Sequence, residues 1–142
     1  MSKWSEKISE KEIKQRITED TVDFAEKFGK HLAVDDVSEY TDHNTGKPKT
    51  KVERKKLTTS QLRKFFGEVK RQQIKGFDKT EFTLLRPKLA YAVGRVADKE
   101  AKINDFNYVI SEAIKLVENE DDFKRFIKIF EAIVAYHKSE EK

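Results

Sequence analysis

Residues 57–71, Leu-Thr-Thr-Ser-Gln-Leu-Arg-Lys-Phe-Phe-Gly-Glu-Val-Lys-Arg, constrain the fold more than any other stretch. They combine a helix start, one apolar stripe and one cationic face. The Thr58 hydroxyl can cap the first turn while Gln61, three residues on, reaches back to the cap backbone, which is a capping box. Leu62, Phe65, Phe66 and Val69 recur at the i, i+3, i+4, i+7 spacing of one helix side. At about 100° per residue, Arg63 and Lys70 fall at one edge of the opposite surface. Lys64, Arg71 and Lys75 run along its back, on a surface expected to carry no interrupting acid. Gly67 lies between the two rows. A glycine there costs about 1 kcal/mol against alanine, which a close approach by another backbone would explain. The alternative is a solvated lysine face with an incidental glycine.

The same period recurs along the chain. Thr18 opens a helix with Phe24, Ala25, Phe28 and Leu32 on one face and Glu19 and Asp20 near its N-terminus. Leu89, Ala92, Val93 and Val96 mark a helix started by Pro87, which is comfortable only in a first turn. On another face of it Lys88, Tyr91, Arg95, Lys99 and Lys102 follow at helical intervals. Tyr91 is expected to pack against a neighbouring helix, the alternative being a ring offered to a nucleobase. Ile103 to Val117 is a helix with a wide apolar face. Asn119 caps a last helix whose inner stripe is Phe123, Phe126, Ile127, Phe130, Ile133, Val134 and His137.

Between these helices the pattern fails. Residues 1–16 are highly charged, with Ile8, Ile13 and Ile17 too sparse to bury a helix, so this end is expected to fray. Residues 34–56 lose periodicity and are expected to be a loop, longer than most connections in a compact domain. Asp42, His43 and Asn44 within it lack the spaced, convergent ligands of a metal site. Gly76 suits a helix C-terminus, and Asp78 with Glu81 suggests a short turn after it.

The net charge of +4 conceals an asymmetry. Residues 51–102 carry 15 Lys and Arg against 6 Asp and Glu, net +9, whereas residues 1–50 come to −2 and residues 103–142 to −3. A cationic middle third is the footprint of a polyanion partner. Cysteine is absent, which excludes disulfides and thiolate metal sites. No signal-peptide pattern or apolar run near 20 residues occurs, so a cytoplasmic protein is expected. No phosphate-cradling glycine loop, HExxH, nucleophile elbow or calcium loop is present. None of His31, His43 and His137 follows an arginine by four to six residues, a spacing found in some helical ribonucleases.

Three blocks carry a family resemblance: Leu57 to Phe65; Arg86-Pro87-Lys88-Leu89-Ala90-Tyr91 with Gly94-Arg95; and Phe130 to Lys138. In that order they resemble the small subunit of type III-A CRISPR effector (Csm) complexes, over Leu57 to Lys138. The resemblance implies a small helical protein without catalysis, stacked in several copies along a ribonucleoprotein filament with its basic face on nucleic acid. Guide RNA would supply sequence recognition, a backbone subunit would cut target RNA, and the large subunit would carry the remaining chemistry. Arg63, Lys64, Lys88 and Arg95 carry over by matched position as contacts to the nucleic-acid backbone, and Tyr91 and Tyr136 as packing positions.

The expectation is therefore an all-α single domain over residues 1–142, a compact bundle of about five helices with a long polar loop after the first well-formed one. Its expected partners are guide RNA, target RNA, the backbone and large effector subunits and further copies of itself, with no membrane, cofactor, metal or catalytic residue. Arg63, Lys64, Lys70, Arg71, Lys75, Arg86, Lys88 and Arg95 are the expected nucleic-acid contacts, with Lys51, Arg54, Lys55 and Lys56 as secondary ones. The alternatives are a protein-interaction module whose charged faces meet partner subunits and a helix-turn-helix-like DNA binder.

Overall fold

A computed structural model describes residues 4–141 of the chain. The described residues form, in order, α1 (Glu10–Lys14), α2 (Glu19–Leu32), β1 (Asp36–Thr41), β2 (Pro48–Glu53), α3 (Thr59–Lys75), α4 (Lys79–Thr83), α5 (Leu85–Gly94), α6 (Ile103–Leu116) and α7 (Glu120–Glu140). Five of these helices have ten residues or more, as the periodicity predicts, and α1 and α4 are single short turns.

The longest helix, α7, is the axis. Asn119 caps it by accepting a bond from the Asp122 amide at 2.9 Å. Phe123, Phe126, Ile127, Phe130, Ile133 and His137 are buried along it, as their spacing requires. The helix packed most extensively on it is α2, and Gly29 permits the crossing. A β-carbon at Gly29 would stand 2.7 Å from the Ile133 carbonyl oxygen and 2.9 Å from the His137 nitrogen. The close backbone approach expected at Gly67 is found here instead, and a β-carbon at Gly67 would meet nothing within 4 Å.

Phenylalanine rings fill the space between α7 and its neighbours. Phe82 meets Phe126 edge-on at 5.1 Å, Phe126 meets Phe130 at 5.8 Å and Phe130 meets Phe106 at 5.9 Å. Two rings of α3 dock onto this cluster, Phe66 on Phe130 at 5.5 Å and Phe65 on Phe106 at 5.7 Å. That docking turns the opposite face of α3 outward. The capping box of α3 forms as expected, Thr58 Oγ1 accepting from the Gln61 amide at 3.1 Å and Gln61 Oε1 from the Thr58 amide at 2.9 Å. Gly76 ends the helix at φ +106°, a conformation that favours glycine.

Two expectations are corrected. Residues 34–56 are not a structureless loop. Strands β1 and β2 pair antiparallel from Asp36 opposite Glu53 to Thr41 opposite Pro48. Val37, Tyr40, Thr41, Thr50 and Val52 supply β-branched and aromatic residues, and Gly46 at φ +70° closes the turn with its amide on the Asp42 carbonyl at 2.8 Å. The hairpin is fastened at its base, where Asp35 Oδ1 accepts the amides of Lys55 and Lys56 at 3.0 and 3.1 Å.

The chain's beginning is also held. Ile8 and Ile13 are buried, and Trp4 packs on Phe28 with ring centroids 5.1 Å apart. These few apolar residues suffice because Arg125 of α7 donates to the Ile13 carbonyl at 2.5 Å, and Lys14 bonds Asp122 at 2.5 Å and also Glu118. Residues 1–3 lie outside the described residues.

The two glycines predict opposite outcomes. Gly29→Ala forces backbone apart at the α2–α7 crossing and should destabilise by about 1–3 kcal/mol, while Gly67→Ala should stabilise by up to about 1 kcal/mol. Urea denaturation of both variants measures the sign; a neutral Gly29→Ala would contradict the packing described.

Candidate nucleic-acid interface

With their apolar sides held by the core, α3 and α5 leave a groove of about 550 Å³ between them. Lys64, Lys88, Tyr91 and Arg95 stand along it, over a floor that includes Phe65, Leu85, Ala92 and Ile103. Three of the eight expected contacts therefore converge. Arg63 is exposed on α3 but does not line the groove, and no carboxylate lies within 4.0 Å of it among the described residues. Arg95 holds its guanidinium over the Tyr91 ring, 5.8 Å from the centroid. Tyr91 itself is 70% exposed, so it does not pack against a neighbouring helix as expected, whereas Tyr136 does pack against the core.

The remaining expected contacts are arranged differently. Arg71 binds Glu68 through two nitrogens, at 2.7 and 3.0 Å, and reaches Glu81 at 2.9 Å. Lys75 also faces Glu81, at 3.5 Å, and Lys88, although on the groove, lies 3.2 Å from Glu68. Lys70 turns toward α7, 3.7 Å from Glu131 and over the Phe66 ring. Arg86 is half-buried and approaches the Ser111 hydroxyl at 3.4 Å.

The expectation of an acid-free surface is thus corrected. Glu68 stands four residues after Lys64 and three before Arg71, which is the same helix row, and that spacing was the available signal. The Arg71 hydrogen bonds, reinforced by Lys88 and outweighing burial, hold the Glu68 carboxyl at about 2. Glu81 is lowered too, chiefly by Arg71, and the two carboxylates in turn raise Arg71.

Of the secondary contacts, Arg54 and Lys56 are exposed at the foot of the hairpin, and Lys51 lies 3.6 Å from Glu53. Lys55 is buried, bonded to Asp98 at 2.5 Å and within 3.4 Å of Glu53, so it is a structural tie. The basic row expected to continue past Arg95 ends there, because α5 stops at Gly94. Lys102 is buried instead, donating to the Val34 carbonyl at 2.7 Å and pairing with Asp36 at 3.3 Å.

The histidines are accounted for by the fold. His137 is buried and its Nε2 donates to the Leu57 carbonyl at 2.6 Å. His31 Nε2 sits 2.7 Å from Asp105, and His43 lies in the hairpin turn.

A family model described as Csm2 Type III-A matches residues 33–142, and the chain belongs to that family. It is a small subunit of the type III-A CRISPR effector, the Csm complex, and assembles with the other subunits of that complex. Nothing among curated proteins or solved structures matches it. The matched region begins as α2 ends, so it takes in the hairpin, the groove and every helix from α3 onward.

The depressed Glu68 carboxyl predicts an acid limit. A carboxylate whose folded value lies below its ordinary 4.5 contributes stability in full above about pH 4.5, and that contribution is lost as pH falls toward about 2. Denaturation midpoints between about pH 5 and pH 2 should fall less steeply in Glu68→Gln than in the natural chain. Parallel profiles would contradict the Arg71–Glu68–Lys88 arrangement.

Proposed function

We propose that this subunit holds RNA in the Csm complex without regard to sequence, through phosphate contacts from the α3–α5 face, and performs no catalysis of its own. The observation that carries this reading is the convergence of Lys64, Lys88 and Arg95 on one groove. Guide RNA and target RNA are the proposed ligands. Base pairing between them would carry recognition, so a small subunit need only follow the backbone. The commitment of His31 and His137 to structural hydrogen bonds supports a non-catalytic role.

In this reading the chain works as one helical domain, in the cytoplasm, in antiviral defence. Copies stack along the complex beside the backbone and large subunits. Two features of α3 favour protein neighbours: Ile74 is 88% exposed, and Gly67 leaves room for a closely approaching backbone. A helix-turn-helix reader of DNA would need a full second helix after the Gly76 break, and α4 has five residues.

The phosphate assignments are tested by the salt dependence of target-RNA binding to the reconstituted complex. Lys64→Ala and Arg95→Ala should each flatten the slope of log affinity against log salt by about 0.7 for every phosphate left unneutralised. Lys55→Ala should leave the slope unchanged while lowering stability. Unchanged slopes in both groove variants would show that these residues do not bind phosphate.

A further inference from the structure

Phosphate tracking needs only cations on a surface, yet the α3–α5 face is recessed. Its volume, about 550 Å³, falls in the range of small-ligand sites. The floor is apolar, from Phe65, Leu85, Ala92, Val96 and Ile103, and phosphate gains nothing from such a floor. Tyr91 adds a second anomaly. It stands one turn from Lys88 and one from Arg95, and a large ring 70% exposed has no packing role in the chain's own core. Arg95 lies over the ring and restrains it, as a stacking platform requires.

We propose that this groove receives an unpaired nucleobase of the bound RNA, stacked on Tyr91, with the flanking phosphates on Lys64, Lys88 and Arg95. The inference rests on the RNA-binding reading and adds a base pocket to it. The polar groups at the groove suit a base edge. Gln61 spends its Oε1 on the helix cap, which leaves its amide nitrogen as a donor. Glu68 stays ionised because Arg71 and Lys88 hold it, and so offers an acceptor. Every nucleobase has a flat face, so stacking is compatible with binding any sequence. A duplex would present its phosphates to the cations and leave the floor empty.

The test compares two single strands of equal length and charge, an oligouridylate and an abasic ribose-phosphate chain, binding the full chain across a salt series. The oligouridylate should bind roughly 5- to 100-fold tighter, with parallel salt slopes for the two strands. Tyr91→Ala should remove that preference without changing the slope, and Tyr91→Phe should keep it. Equal affinities, or a preference that survives Tyr91→Ala, overturn the base pocket. If equal affinities are accompanied by a flatter slope in Lys64→Ala, phosphate tracking stands and the pocket alone fails. Binding of neither strand sinks both readings. A Tyr91→Ala chain that binds both strands as the natural chain does but no longer enters the complex assigns the groove to a protein neighbour.

Discussion

The crossing of α2 over α7 at Gly29 sets the position of everything that matters for binding. With hydrogen as its side chain, Gly29 lets the two backbones come close enough that the last turn of α2 lies beside the C-terminal part of α7. At that place the Leu57 amide donates to the Leu32 carbonyl at 2.7 Å, and the Leu57 carbonyl accepts from His137. One residue thus ties the end of α2, the start of α3 and the far part of α7. The buried polar groups involved are paired, and leaving one unpaired would cost about 1–3 kcal/mol. Since α3 starts from this tie and is rolled into place by Phe65 and Phe66, the direction of its cationic face follows from the core.

The charge of the middle third divides into three populations. Lys55 and Lys102 are buried ties that fasten the hairpin to the loop before α6, with Asp98 lowered chiefly by Lys55. Arg71, Lys75, Lys70 and Lys88 face acids of the same chain. Arg63, Lys64, Arg95, Arg54 and Lys56 have no such partner among the described residues. A net +9 over residues 51–102 therefore overstates the field offered to a polyanion. Of what remains, Lys64 and Arg95 stand on the groove, where the Glu68 carboxylate pairs with Lys88. Exposed pairs such as Lys70–Glu131 and Lys75–Glu81 contribute little to stability, so their main effect is on which cations remain available.

The helices were legible because each carries a complete set of signals: caps at Thr58 and Asn119, unbroken stripes, and a break at Gly76. The hairpin was missed because its strands are exposed on both faces, so no alternation of apolar and polar residues marks them. Val37, Tyr40, Thr50 and Val52 around Asp-His-Asn-Thr-Gly were the remaining clue. The first turn was missed because contacts from Arg125 and Lys14, over a hundred residues apart from their partners, replace apolar area. At the groove, helical spacing puts Lys64, Lys88 and Arg95 on the faces where they lie, but spacing along one helix does not register the acids of neighbouring helices that pair with its cations. Ion pairing between helices and the exposure of Tyr91 depend on how α3 and α5 are set against each other, which local spacing does not carry. The family blocks from Leu57 onward were readable, while the family match reaches back to residue 33.

The most direct measurement is target-RNA binding by the Csm complex reconstituted with and without this subunit, across a salt series. A subunit that tracks phosphate predicts weaker binding and a shallower salt slope in its absence. Unchanged affinity and slope in a complex that incorporates the subunit would contradict the account and leave the cationic groove to a protein neighbour.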